Sequence, residues 1–151
     1  MDEDDDGLHE RIHQTLPTQA YLLFALATLL GLAHHIDHIV RGNHVGWPVV
    51  PEVTPFTYSL AIYPLVVVGF ALSLTDRAGA RYWSVVMVLG GGMLVFFHLS
   101  PWAVEPPSDV ILPYANPLFG YVAFAVLLCL IGVVFLGAAY AVVLWRDDTR
   151  A

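Results

Sequence analysis

His34, His35, Asp37, His38 and Arg41 fall within one helix-length stretch of otherwise apolar sequence, and Asn43 and His44 follow directly. Near a bilayer centre each ionisable group costs about 2.5 to 3.5 kcal/mol on insertion scales, so five together point to a shared task. His34 and His38 are four apart, which on a helix puts both rings on one face and within reach of one ion. Such H-x-x-x-H spacing supplies two imidazole ligands to zinc, copper or iron. The same face carries Ala27 and Gly31, a small-residue stripe that admits another helix closely, so it should point into a bundle. Asp37 is three residues from His34 and four from Arg41. It is placed either to orient a ligand histidine or to pair with Arg41, which otherwise snorkels to the headgroups. His35 points roughly 100° away from His34 and reads as an interhelical hydrogen-bonding residue.

A third ligand should come from another helix at the same depth. His98 fits, because the positions counted from Ala20 to His34 and from Arg81 to His98 differ by less than one turn at ~1.5 Å per residue. Glu105, Asp109, His44 or water would complete the shell, and Glu105 and Asp109 are also candidates for proton donor or acceptor. Gly90, Gly91 and Gly92 allow bending or close packing below the site. The cofactor implied is a transition metal (Zn, Cu or Fe) or haem b. The competing reading is a buried polar network of His35, Asp37, Arg41 and His44 with the other histidines, holding no ion.

What must position these groups is a membrane bundle. Hydrophobic residues make up 58% of 151 positions and charged residues 13%, with a mean hydropathy of +0.68, well outside soluble-domain composition. Four segments, Ala20 to Val40, Phe56 to Leu74, Tyr82 to Leu99 and Leu118 to Trp145, approach or exceed the ~20 apolar residues that cross a ~30 Å hydrocarbon core. The third is long enough only if Trp83 and Trp102 mark its two interfaces. The expected fold is therefore an all-α integral membrane protein: a four-transmembrane-helix bundle with a short N-terminal interfacial helix and two Pro-rich outer loops. Its parts are an acidic cytoplasmic tail and interfacial helix (1–17), the transmembrane domain (18–145) and a cytoplasmic tail (146–151).

The interfacial helix is read from Leu8, Ile12 and Leu16, ended by Pro17; His9 and His13 beside them sit in a soluble tail and are poor ligand candidates. No signal peptide is apparent, since the chain opens on Asp2 to Asp6. The chain has no lysine, and Arg11, Arg77, Arg81, Arg146 and Arg150 fall on one side of the four spans against Arg41 on the other. That asymmetry predicts a multi-pass cell-membrane protein with both termini cytoplasmic. The histidine cluster then faces outward, beneath loops 42–55 and 100–117, stiffened by eight prolines. Tyr58, Tyr63, Tyr114 and Tyr121 are expected in the outer aromatic belt. The lone Cys129 excludes an intrachain disulfide and reads as a packing residue.

His34, His35 and His38 spell H-H-x-x-H, which resembles one histidine box of the membrane fatty-acid desaturase and hydroxylase group. Members of that group use about three such boxes on the cytoplasmic side. This chain has one, with seven histidines in all, and places it outward, so the resemblance carries no di-iron oxygenase activity over. Haem ligands near both faces, as in cytochrome b561-like carriers, are absent from the inner halves of the spans. A phosphate loop, a G-x-S-x-G elbow and a basic patch are missing too, and a net charge of −7 disfavours nucleic acid. The expected partners are the lipid bilayer and other membrane subunits or further copies of the chain. Two functions remain: a metal or haem site, with enzyme activity left open, or a non-catalytic membrane subunit or lipid-binding protein.

Overall fold

The computed structural model describes residues 16–42, 52–75 and 77–150. The tail and interfacial helix expected before Leu16, and residues 43–51 with His44, lie outside the described residues. Among the described residues there are six helices: α1 (Thr18–Arg41), α2 (Pro55–Ser59), α3 (Ile62–Ser73), α4 (Ala80–Leu99), α5 (Pro107–Ile111) and α6 (Pro117–Asp148). Among the described residues there is no strand. Among the described residues, four segments are long and apolar enough to cross a membrane: α1, the α2–α3 pair taken together, α4 and α6.

Each boundary has a local cause. Pro17 precedes the first turn of α1, and Gly42 ends the helix at φ 60°, its N–H donating to the His38 carbonyl at 3.2 Å, a left-handed cap that glycine accepts without a Cβ penalty. Thr54 caps α2 through a reciprocal pair with Thr57. The second segment, expected as one helix, is interrupted at Leu60 and Ala61. Pro64 lacks the N–H that would reach the Leu60 carbonyl, and the Tyr63 N–H takes that carbonyl instead at 3.1 Å.

α6 is the central helix and packs against both α1 and α4. Its Gly137 opens a hollow in which a Cβ would sit 3.7 Å from Phe24 and Met87, and Phe24 stacks on Trp83 with ring centroids 4.3 Å apart. Trp83 is thus fully buried and is not the interfacial marker its position in sequence implies. Gly69 gives it room, since a Cβ there would come within 3.0 Å of its ring, and its indole N–H donates to Ser73 Oγ at 2.9 Å. The second segment packs chiefly against α4, and a Cβ at Gly69 would come within 2.5 Å of Tyr82.

Two further expectations are corrected. A Cβ on Gly31 would meet nothing within 4 Å, so this half of the stripe borders open space, while Ala27 one turn earlier is buried in the core. Cys129 is exposed on the outer surface of α6 and packs no core. Much of the remaining surface is apolar, with Leu22, Leu29, Val67 and Leu89 all exposed. A water-soluble monomer rarely shows such continuous apolar cover.

Candidate metal centre

α1 and α4 meet at one end of the bundle through histidines. His34 and His38 share the buried face of α1, and His98 occupies the last turn of α4. The Nε2 atoms of His34 and His98 lie 3.3 Å apart, and those of His34 and His38 lie 3.2 Å apart. The rings of His38 and His98 each meet His34 nearly edge to face, so three ring nitrogens converge instead of stacking.

Glu105 closes the group. After α4 the chain turns back, and the Glu105 N–H donates to the Phe97 carbonyl at 3.0 Å. The fold-back carries the carboxylate over the histidines, Oε2 lying 3.2 Å from His38 Nε2 and 3.3 Å from His98 Nδ1. His98 Nδ1–H donates to the Glu105 backbone carbonyl at 3.1 Å. A carbonyl only accepts, so that contact fixes the tautomer and leaves Nε2 with its lone pair free, the arrangement a ligand histidine needs. One ligand atom from each of His34, His38, His98 and Glu105 lies within 4.8 Å of the others, and all four residues are buried.

Glu105 Oε2 and His38 Nδ1 have no hydrogen-bond partner among the described residues. A buried carboxylate oxygen without a donor is costly. The two His34 separations, 3.3 Å to His98 and 3.2 Å to His38, match the about 3.3 Å between nitrogens held about 2.05 Å from a tetrahedral ion.

Arg41 holds the carboxylate in position. Its side chain is fully buried, its Nε donates to Asp37 Oδ2 at 2.5 Å, and its Nη1 donates to Glu105 Oε1 and, at 2.8 Å, to the Asp109 carbonyl. It therefore does not snorkel. The guanidinium fork serves two carboxylates at once, and occupying Oε1 turns Oε2 toward the histidines. Burial pushes the Glu105 carboxyl above the usual carboxylate range, and Arg41 opposes that rise. Asp37 thus pairs with Arg41 rather than with a ligand histidine, and accepts from the Tyr114 hydroxyl through its other oxygen.

Other residues singled out in the sequence are placed differently. His35 has partners on both ring nitrogens: Gly31 O at 2.9 Å and Tyr63 Oη at 2.8 Å from Nδ1, and Ser59 Oγ at 2.9 Å from Nε2. It ties α1 to the second segment. Asp109 contributes its backbone carbonyl, while its carboxylate accepts from Ser108 at 3.3 Å. Tyr63 and Tyr114, expected in the aromatic belt, hydrogen-bond to His35 and Asp37, and Tyr121 is exposed. Ser59, Tyr63 and Tyr114 carry no motif that marks them. For Tyr114 the one available signal is its place in the proline-rich loop that also holds Glu105.

No family model, no curated protein and no solved structure matches the chain.

Proposed function

We propose that this chain is a four-span integral membrane protein that binds one divalent transition-metal ion through His34, His38, His98 and Glu105 at the outer end of the bundle. The observation that carries the reading is the convergence of three histidine nitrogens on a buried carboxylate oxygen that lacks a donor among the described residues. Three neutral imidazoles and one carboxylate form a borderline donor set that suits zinc, copper or iron. A compact ion is favoured over haem b, because a macrocycle held between His34 and His98 would have to part nitrogens 3.3 Å from each other. The membrane setting is supported by four long apolar helices, and the outward placement by the five-to-one arginine asymmetry.

The test is metal analysis of protein purified without chelator at neutral pH, together with an absorption spectrum. About one equivalent of a transition metal is expected, without a haem Soret band. Less than about a tenth of an equivalent that excess zinc, copper or iron fails to raise overturns the reading in favour of an ion-free polar network. Metal binds neutral imidazole and protonation competes with it, so the ion should leave on acidification. Orientation is tested separately with single cysteines at Asn43, Ser108 and Thr75 in a Cys129→Ala background. An impermeant thiol reagent on intact cells should label the first two; labelling at Thr75 alone reverses the topology.

A further inference from the structure

The histidine–glutamate centre forms one end of a cavity of about 840 Å³, within the roughly 300 to 1,000 Å³ typical of ligand sites. The cavity lies between the second segment on one side and α1 and α4 on the other, with Leu130 and Val134 of α6 as its floor. Its lining on α4 runs from Arg81 to His98, about 25 Å at ~1.5 Å per residue, most of a ~30 Å hydrocarbon core. Ala27, Ile62, Val66, Val86, Leu94 and Phe97 make its wall apolar, so ordered water has few partners along it. Two glycines keep it open. Gly31 and Gly90 both line it, and a Cβ at either would meet nothing within 4 Å.

We propose that this cavity takes a single-chain amphiphile from the bilayer, its apolar chain lying along the wall and its oxygen-bearing end at His34, His38, His98 and Glu105. A long, narrow, apolar space beside lipid matches an extended hydrocarbon chain in both length and chemistry. The direction follows from the polar atoms. His34, His38, His98 and Glu105 gather at this end of the cavity, where an apolar chain end would bury their polar atoms against hydrocarbon, whereas an oxygen head can reach the ion proposed between them. Arg77 and Arg81 at the far end are exposed and need no ligand to satisfy them. The placement of the head rests on the metal reading above, whereas occupation of the cavity by the chain does not.

The experiment uses the full chain in phosphatidylcholine nanodiscs, loaded with cobalt(II) and titrated with tritiated palmitic acid, binding being read above that of empty discs. Hexadecane serves as the chain without a head. One palmitate per chain is expected, with a shift of the cobalt visible bands that hexadecane does not produce. Gly90→Leu, growing into the cavity, should weaken palmitate binding at least tenfold while retaining cobalt. Gly92→Leu, on the exposed face of the same helix, should stay within twofold. Equal palmitate affinity in the two variants overturns the cavity assignment, and bound palmitate with unshifted bands overturns the head placement. A chain that takes up no cobalt overturns the metal reading and the head placement, and the two glycine variants still decide the cavity through palmitate alone. Absence of palmitate binding, with a wild-type dimer that Gly90→Leu dissociates, assigns the cavity to a second copy and overturns the proposal.

Discussion

α1 and α4 touch at both ends of the bundle, and the two contacts are built from opposite materials. At the end nearer Ser73, Phe24 lies on Trp83 at 4.3 Å, and Ser73 accepts from Trp83 and donates to the Ala78 carbonyl at 2.9 Å. At the other end the same two helices meet through His34 and His98, whose nitrogens at 3.3 Å offer each other little without a proton or an ion between them. The aromatic contact is complete in itself, since dispersion needs only close packing. The histidine contact leaves Glu105 Oε2 and His38 Nδ1 without a hydrogen-bond partner among the described residues. One end therefore holds the helices in register, and the other is where we propose that an ion is bound.

That difference is broken most sharply by His98→Ala. Removing one of four ligands should lower metal affinity at least a thousandfold, about 4 kcal/mol, while helicity and the near-ultraviolet signal of the Trp83 environment stay unchanged. Metal bound at wild-type affinity would place the ion elsewhere. The converse change is Trp83→Ala, which should cost about 3 kcal/mol of unfolding free energy and leave one equivalent of metal on every folded molecule. If metal were lost in proportion to stability across both variants, the two ends would be one cooperative unit and the contrast would fail.

Between these lies Arg41→Lys. An ammonium keeps the charge but cannot span Asp37, Glu105 and the Asp109 carbonyl with a planar fork. Glu105 should then lose its fixed orientation, lowering metal affinity about 10- to 100-fold with little change at the Phe24–Trp83 end. Wild-type affinity in Arg41→Lys would show that the fold-back after α4, and not Arg41, positions the carboxylate.

What the sequence could foretell of this arrangement followed from periodicity. The spacing of His34 and His38 and the depth of His98 are properties of single helices, and each can be counted along one helix from its own end. The four long segments were legible for the same reason, as runs of apolar residues. Glu105 was placed among several candidates but could not be chosen, because its position depends on how residues 100–106 fold back to the Phe97 carbonyl. Trp83 read as an interface residue because what buries it, Phe24 stacked on its ring and Gly69 against it, comes from two other segments. Gly31 read as a contact for a close helix because its neighbour's distance is set by the break at Pro64 and by packing far away at Gly69. Local pattern identifies which side chains share a face; it does not carry the separation between faces, and both the cavity and the paired arginine depend on that separation.

The smallest effect sharpens the comparison from the loop side. The Tyr114 hydroxyl donates to Asp37 and joins the loop before α6 to the end of α1, beside the Arg41 pairs. Burial, and after it the hydrogen bond to Asp37, pushes the Tyr114 phenol up to about 12. Its folded value thus lies above the ~10 of an unfolded tyrosine, so its contribution is fully present below pH 10 and is lost as pH rises toward 12. Tyr114→Phe should therefore cost about 1 kcal/mol at pH 8, since Arg41 still pairs with Asp37, and the gap between variant and wild type should close by pH 12. Metal content should be unchanged at pH 8, because Tyr114 touches Asp37 and not the Glu105 carboxylate. Denaturant titrations of both proteins at the two pH values measure the gap. A gap equally wide at both would mean that Tyr114 contributes through ring packing, leaving Arg41 as the tie between the loop and α1.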